Sequence, residues 1–377
     1  MPGSDGQLRG AVRAFLRGQR FEPHCHAWMT EFDPEFSRAL GRQGWIGMTW
    51  PPEYGGGGRP ERERLTVIEE LLAAGAPVAA HWIADRQTGP ALLRYGQPEQ
   101  CRRYLPPITR GECFFAIGMS EPDSGSDLAS IRTAATATAD GWRVTGRKVW
   151  TGHAHQADYL LALVRTAPRD SGSRHAGLTQ LIIDLSAPGV TVRPLRSLDG
   201  GHHFNEVTLD DVPVPRDALL GREGAGWEQV TSELAYERSG PERFLSTVPL
   251  LRELARRRAG AGDRQIGGLI AELQSLRALS AMIADALEGG AVAGDDRSAA
   301  RAAPAREAAM VKDLGTRFEL KVTDVARELL DTEPALDSPG PLSRLLAEAV
   351  LHGPEGTLRG GTTEILRGIV ARQLVTP

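Results

Sequence analysis

The spacing of apolar residues changes twice along the chain, and each change limits the folds open to it. From about residue 8 to residue 110 apolar residues recur at intervals of three and four, as in LTVIEELL, which is the period of a helix. Between about residues 113 and 221 the interval becomes two, or the run becomes wholly apolar, as in DYLLALVRT and LTQLIIDL, which is typical of strands. The helical period returns after Gly226. The sequence therefore predicts a β block between two helical blocks.

These blocks predict an α+β protein with three domains. We expect an N-terminal α-helical domain over residues 1–112, a β-barrel-like middle domain over 113–221 and a C-terminal helical bundle over 222–377. The length of 377 residues agrees, because one hydrophobic core seldom serves so long a chain. Asp140-Gly141 between two extended runs predicts a hairpin. Pro106 and Pro107 are predicted to end the first helical block.

The C-terminal block carries a long apolar stripe that predicts a partner subunit. The stripe consists of Ile266, Leu269, Ile270, Leu273, Leu276, Met282, Ile283 and Leu287. The small and polar segment AGDDRSAARAAPA over residues 293–305 is predicted to link two long helices. Because these helices have more apolar positions than a lone helix pair could cover, we expect a homodimer or homotetramer.

Composition excludes several classes of function. The formal net charge of -4 argues against non-specific nucleic-acid binding. Three widely spaced cysteines without a CxxC pattern suit a reducing compartment and do not predict a disulfide framework. The N-terminus has no signal-like apolar region, and no run of about 18 apolar residues occurs, so neither export nor membrane spanning is expected. We expect a cytoplasmic protein that binds no metal, because none of the nine histidines lies in a metal-ligand motif such as HExxH.

Several segments, in order along the chain, carry a family resemblance. FFAIGMSEPDSGSDLASIRTAA over residues 114–135 resembles the first signature of acyl-CoA dehydrogenases, and GRKVWTGHAHQADYLLALVRT over 146–166 resembles their flavin-facing strand. GWIGMTWPPEYGGG near residue 50 and GGTTEILRGIVAR near the C-terminus extend the resemblance over nearly the whole chain. The resemblance implies the acyl-CoA dehydrogenase fold and a bound FAD.

The resemblance also implies which residues hold the flavin. Trp150 would supply a flat apolar wall for the isoalloxazine ring, and the segment from Ile117 to Ser120 would present backbone groups and the Ser120 hydroxyl to its pyrimidine edge. Relatives carry Thr or Ser two residues after the aromatic residue, where this chain has Gly152, so a backbone N–H remains for that contact. The implied cofactor-binding residues are Ile117, Met119, Ser120, Ser126, Trp150, Thr151, Gly152, Thr362 and Glu364.

The resemblance places the catalytic base at one of two positions. Removal of the α-proton of an acyl thioester needs a carboxylate, and the position that most often supplies it in relatives is Gly360 here. The isovaleryl and long-chain branches instead place the base just before an arginine, which corresponds to Glu237 and Arg238 in SELAYERSGPER. Glu237 is therefore the predicted base. The alternatives are a helix glutamate that merely pairs with a nearby arginine, and Glu364 as the base.

The remaining implied contacts concern the substrate. The backbone N–H of Gly360 is predicted to polarise the thioester carbonyl, together with a hydroxyl of the flavin's ribityl chain. The implied substrate-binding residues are Ser126, Tyr236, Arg238 and Gly361.

The predicted reaction is FAD-dependent α,β-dehydrogenation of an acyl thioester carried on CoA or on a carrier protein. The α-proton would pass to Glu237 and the β-hydride to flavin N5, with an electron-transfer flavoprotein or another acceptor as the electron partner. Two alternatives stay open. One is a flavin monooxygenase on the same fold, and the other is a non-catalytic subunit of a heteromeric dehydrogenase, which Gly152 and Gly360 favour and Trp150 and Glu237 oppose.

Overall fold

The computed structural model describes residues 2–168, 173–257, 263–291, 305–330 and 333–375. These residues form two compact units. The first unit comprises Met1–Glu31, Arg59–Val78 and Leu234–Pro377, and the second comprises Phe32–Gly58 and Ala79–Glu233. Helices precede a curled sheet and further helices follow it along the chain, which confirms the predicted α+β fold class. The predicted linker lies outside the described residues except for its last residue, Ala305.

The helices are numbered in chain order. They are α1 (Pro2–Arg17), α2 (Ala27–Thr30), α3 (Pro34–Arg42), α4 (Glu61–Ala73), α5 (Ala79–Ile83), α6 (Gly89–Tyr95), α7 (Pro98–Thr109), α8 (Gly226–Arg238), α9 (Val248–Arg257), α10 (Asp263–Ala291), α11 (Ala305–Leu329), α12 (Pro341–Gly356) and α13 (Thr363–Val375). The first unit holds α1, α2, α4 and α9 to α13, whereas α3 and α5 to α7 belong to the second. Helix α8 begins in the second unit and ends in the first.

The helices of the first unit bury one apolar face each, as amphipathic helices in a bundle do. Helix α11 buries Phe318, Val322 and Val325 at intervals of three and four. Helix α10 buries part of its predicted stripe, including Leu269 and Ile283. Other apolar side chains of the described stripe face solvent: Ile270 is 44% exposed and Met282 is 65% exposed.

Helix α10 also bears on the question of a membrane. Among the described residues, the stretch Arg264–Glu288 is long and apolar enough to cross a membrane by length and composition. A single such helix is weak evidence, since core helices of soluble proteins meet the same criterion.

The second unit is built around a seven-stranded sheet. Its strands are β1 (Phe115–Gly118), β2 (Ala134–Ala137), β3 (Gly141–Gly152), β4 (Tyr159–Arg165), β5 (Leu178–Asp184), β6 (Val190–Leu195) and β7 (Phe204–Pro215). They run in the order β1-β4-β2-β3-β7-β6, with β5 paired to β4. Strands β2 and β3 pair antiparallel across the predicted hairpin. The wholly apolar runs become β4 and β5, which are almost entirely buried as their composition requires.

The prediction that Pro106 and Pro107 end the first helical block is wrong. Helix α7 continues through both prolines to Thr109. Both lie in its last turn, where the carbonyl of Pro106 still accepts from the Thr109 hydroxyl at 2.8 Å. The chain leaves the helix at Gly111, whose φ of +69° suits glycine and where any Cβ atom would lie 2.5 Å from the backbone of Ser37.

Candidate active site

A β-bulge on β3 determines where Trp150 points. Lys148 pairs with Val207, and Thr151 pairs with Asn205, so three steps on β3 match two on β7. The extra residue gives Trp150 a φ of +58°, which is rare for a bulky side chain and marks a constrained position. The Trp150 ring is 63% exposed. It meets Phe204 edge to face at 5.8 Å between centroids, which leaves a flat aromatic surface for a ligand.

The segment that follows β1 is held by a buried ion pair. Lys148 is fully buried, and its Nζ donates to Glu121 Oε1 at 2.9 Å and to the Met119 carbonyl at 3.2 Å. Glu121 also accepts from the backbone N–H groups of Arg132 and Thr133. Burial lowers the pKa of Lys148 to about 8, although Glu121 opposes the shift. Glu121 is thus a structural acceptor, and Lys148 fixes the backbone at Met119.

The predicted flavin contacts on β1 and β3 lie next to each other. The backbone N–H of Val149 donates to the Ser120 carbonyl at 3.0 Å, which joins the turn after β1 to the bulge. Ile117, Met119 and Ser120 are half-buried. The segment from Ile117 to Ser120 and the bulge at Trp150 are therefore brought together within the second unit.

Three further predicted residues of the second unit differ in accessibility. Ser126 is exposed at the surface of its turn. Thr151 is fully buried, its hydroxyl makes no hydrogen bond among the described residues, and its carbonyl accepts from Asn205 Nδ2 at 3.0 Å. A Cβ atom at Gly152 would have no atom within 4 Å, so a Ser or Thr side chain would fit there.

The two candidate positions for the base meet in the first unit. A Cβ atom at Gly360 would lie 3.3 Å from Glu237 Oε1. The Glu237 side chain is 19% exposed and accepts from Arg243 Nη2 at 2.6 Å. The Glu237 carboxylate thus lies next to Gly360, the other candidate position.

Arg238 and Gly361 adjoin the same place. Arg238 Nε donates to the Gly360 carbonyl at 2.7 Å, and a Cβ atom at Gly361 would lie 3.2 Å from Arg238 Nη2. Burial lowers the pKa of Arg238, with Glu237 acting in the opposite direction. The side chain of Tyr236, another predicted substrate contact on α8, lies outside the described part of the structure.

The residues after Gly361 form the start of α13. The backbone N–H of Ile365 donates to the Thr362 hydroxyl at 3.4 Å, and that of Leu366 donates to the Thr362 carbonyl at 3.0 Å. Thr362 is therefore the N-cap of α13. Glu364 is exposed. Hydrogen bonds from its own backbone N–H and, to a smaller extent, from the Thr362 hydroxyl lower the pKa of its carboxyl.

Three charged side chains that sequence reasoning missed, those of Arg243, Lys312 and Arg359, interact electrostatically with Glu237. The guanidinium groups of Arg243 and Arg359 lie 5.4 Å and 4.6 Å from the centre of the Trp28 ring, a cation–π arrangement. Burial and the positive charges of Arg243 and Arg359 lower the pKa of Lys312 to about 7, and burial has the larger effect. Burial raises the pKa of Glu319. Arg243 follows Glu237 by six residues but lies beyond the end of α8, so no periodic signal in the sequence indicated the contact.

The comparisons with known proteins agree with this fold. The family described as acyl-CoA dehydrogenase, N-terminal domain, matches residues 4–112, and the acyl-CoA dehydrogenase middle domain matches residues 116–212. Acyl-CoA dehydrogenase FadE26 of Mycobacterium tuberculosis is 33% identical over 348 residues, which cover 88% of this chain and 84% of FadE26.

Solved structures extend the similarity to nearly the full length. The Tcur3481-Tcur3483 steroid ACAD is similar with a TM-score of 0.85 and 27% identity, and the match covers 100% of this chain and 98% of that one. The ChsE4-ChsE5 complex from Mycobacterium tuberculosis matches with a TM-score of 0.79 and 28% identity over 99% of this chain and 96% of that one.

Fold and relatives together define an oxidoreductase that acts on CH–CH groups. The chain belongs to the acyl-CoA dehydrogenase family, whose members depend on flavin.

Proposed function

We propose that this protein binds FAD and catalyses the α,β-dehydrogenation of an acyl thioester, with Glu237 as the base. One observation carries the assignment of the base. The Glu237 carboxylate lies beside the place where a side chain at Gly360 would begin, with 3.3 Å between Oε1 and a Cβ atom at that position. A base supplied from α8 therefore replaces the one that this chain lacks at Gly360.

The residues of the second unit fit a flavin. Trp150 offers a ring that is 63% exposed, and the space beside Gly152 is open. Ile117, Met119 and Ser120 supply backbone and hydroxyl groups of the kind that hydrogen-bond a pyrimidine edge. When bound, FAD would supply the acceptor for the β-hydride.

The residues of the first unit would act on the substrate. Glu237 would take the α-proton, and the Gly360 N–H would hydrogen-bond the thioester carbonyl so that this proton becomes more acidic. The contact from Arg238 Nε to the Gly360 carbonyl, at 2.7 Å, fixes the backbone that carries this N–H. Arg238 therefore supports the geometry of the thioester site.

The test is reduction of the bound flavin by defined thioesters. We would mix the purified protein anaerobically with butyryl-CoA, octanoyl-CoA, isovaleryl-CoA and a CoA thioester of a steroid carboxylic acid. The last is included because a similar structure is that of a steroid ACAD. Bleaching of the flavin and an α,β-unsaturated product support the proposal. Repeating the series with the corresponding carrier-protein thioesters tests the choice of carrier, and added electron-transfer flavoprotein tests the electron partner.

A second candidate is a non-catalytic subunit of a heteromeric dehydrogenase. It is favoured by similarity to the ChsE4-ChsE5 complex, whose name contains two components. A chain that retains no FAD alone, and reduces none with any thioester, would favour this candidate over the first. The flavin monooxygenase alternative differs from the proposed dehydrogenase because it needs no carboxylate at Glu237.

We also propose that copies of this chain associate as a dimer or tetramer. Ile270 and Met282 on α10 are exposed and apolar, which is typical of a surface covered by another subunit. Sedimentation at micromolar concentration should show an assembly larger than a monomer. A monomer at all concentrations tested would contradict this proposal.

A further inference from the structure

Arg243 contacts the proposed base, Glu237, but is not one of the predicted site residues. We infer that Arg243 is a positioning residue, which holds Oε1 of Glu237 beside Gly360 and leaves Oε2 as the oxygen that takes the α-proton. This inference rests on the proposed function, because it assumes that Glu237 is the base. It goes further in assigning separate roles to the two oxygens of the carboxylate.

Two hydrogen bonds tie Arg243 to Glu237. Arg243 Nη2 donates to Glu237 Oε1 at 2.6 Å, and Nε donates to the main-chain carbonyl of Glu237 at 3.2 Å. The same guanidinium thus fixes both the backbone and the side chain of one residue. Glu237 Oε2 has no hydrogen-bond partner among the described residues.

Arg243 is itself held in one place. Its side chain is 2% exposed, and its guanidinium carbon lies 5.4 Å from the centre of the Trp28 ring. The Trp28 indole donates to Ser246 Oγ at 3.0 Å, and the backbone N–H of Ser246 donates to Glu319 Oε1 at 2.8 Å. Because a buried and stacked guanidinium has little rotamer freedom, it can fix the carboxylate at low entropic cost.

The guanidinium also faces the position that distinguishes this chain from many relatives. A Cβ atom at Gly360 would lie 3.4 Å from Arg243 Nη1 and 3.3 Å from Glu237 Oε1. Nη1 is buried and makes no hydrogen bond among the described residues. The pair therefore borders the same space, which is the expected position of the substrate's α-carbon.

A purely structural ion pair is the competing explanation, and the chain offers a matched control for it. Arg344 Nη1 donates to Glu348 Oε1 at 3.0 Å in the same unit, and both side chains are 9% exposed. Loss of either arginine removes an ion-pair partner from a glutamate carboxylate, which is destabilising, although Glu348 still accepts from the backbone N–H of Cys25 at 2.8 Å. A difference in flavin-reduction rate between the variants that lack Arg243 and Arg344 therefore reports an effect specific to Arg243.

Other charged groups also act on Glu237 and are retained in every variant. Arg238 lies on the same helix, Lys312 lies on α11, and Arg359 follows α12. Arg243→Gln removes one cation from this set and leaves the others in place. This variant therefore tests the loss of Arg243 alone.

The experiment compares Arg243→Gln, Arg243→Lys and Arg344→Gln in the full chain with FAD. Flavin reduction is followed with whichever of the four CoA thioesters named above reduces the parent fastest. For Arg243→Gln we expect the rate at saturating thioester to fall by about tenfold or more, while the thioester's Kd changes by less than about threefold. Arg243→Lys keeps the charge but cannot make both contacts, so it should restore only part of the rate. Arg344→Gln should match the parent in rate.

Crystal structures supply a readout that does not depend on turnover. The Glu237 carboxylate should leave Gly360 in Arg243→Gln and stay there in Arg344→Gln. If Arg243→Gln is too unstable to study, the same comparison with Arg243→Lys decides the matter. The inference is overturned if the carboxylate in Arg243→Gln does not move and the rate of this variant equals that of Arg344→Gln. In that case slow reduction by Glu237→Gln would still support the proposed function. Parental reduction by Glu237→Gln would instead overturn the proposed function.

Discussion

The Glu237 carboxylate lies beside Gly360, although the two residues are far apart in sequence. Arg238, the residue after Glu237, precedes Gly360 by 122 positions. A Cβ atom at Gly360 would lie 3.3 Å from Glu237 Oε1. Glycine at this position leaves room for a carboxylate that arrives from helix α8. This proximity leads to the prediction that a carboxylate at either position could act as the base.

Glu237→Gln should separate flavin binding from chemistry. The amide keeps the shape of the side chain but cannot accept the α-proton, so flavin reduction by a competent thioester should fall by at least about a hundredfold. FAD content should stay unchanged. The measurement is anaerobic stopped-flow reduction of the bound flavin.

The matched control for this variant is Glu348→Gln. Glu348 is also a buried glutamate paired with an arginine in the first unit, and it accepts from Arg344 Nη1 at 3.0 Å. It should reduce its flavin at the parental rate. Equal rates for Glu237→Gln and the parent would mean that Glu237 is only an ion-pair partner.

Trp150→Ala should weaken the retention of FAD. The indole ring is 63% exposed on a bulge with a φ of +58°, so its removal takes away the aromatic surface with little disturbance of the core. Trp150→Phe should keep part of the retention, and Leu198→Ala, which truncates an apolar side chain that is 82% exposed, should keep all of it. The ratio of flavin to protein absorbance after gel filtration measures the effect. Full flavin content in Trp150→Ala would remove Trp150 from the proposed site.

The sequence predicted those features that depend on local spacing. The helix and strand periods gave the order of the blocks, and Asp140-Gly141 gave the hairpin between β2 and β3. The family resemblance, rather than spacing, implied Gly360 and Glu237 as two candidate positions, and the structure brings these two together. Local sequence patterns were sufficient to predict the blocks and the hairpin, because each of these features is determined by a short stretch of consecutive residues.

Features that depend on tertiary contacts could not be predicted in this way. Helix α7 continues through Pro106 and Pro107 because both lie in its last turn. The bulge at Trp150 depends on the register between β3 and β7. The contact of Arg243 with Glu237 depends on the path of the chain after α8. Periodicity contains none of this information.

His81 should make the stability of the protein depend on pH. Burial lowers the pKa of this histidine from 6.5 to about 3, and its Nδ1 lies 2.8 Å from Ser37 Oγ. Between these two pH values the unfolded chain binds a proton that the folded chain does not. The free energy of unfolding should therefore fall as the pH drops below about 6.5, with a contribution of up to about 1.4 kcal/mol per pH unit.

Urea unfolding at several pH values between 7 and 4 measures this slope. His81→Gln should be less stable at pH 7, because it changes a buried contact, but its stability should depend less on pH. The same slope in His81→Gln and the parent would contradict the assignment to His81.

Exchanging the two base positions is the strictest test of the proposed chemistry. Glu237→Gly combined with Gly360→Glu removes one carboxylate and introduces another whose Cβ would start 3.3 Å from the former Oε1 position and 3.4 Å from Arg243 Nη1. The φ of +66° at position 360 disfavours any residue with a side chain by about 1–2 kcal/mol, so full activity is not expected. The double variant should reduce its flavin faster than Glu237→Gly alone and more slowly than the parent. If the double variant folds, retains FAD and is as slow as Glu237→Gly, a carboxylate at position 360 does not reach the substrate's α-carbon in this protein, and the two positions are not equivalent.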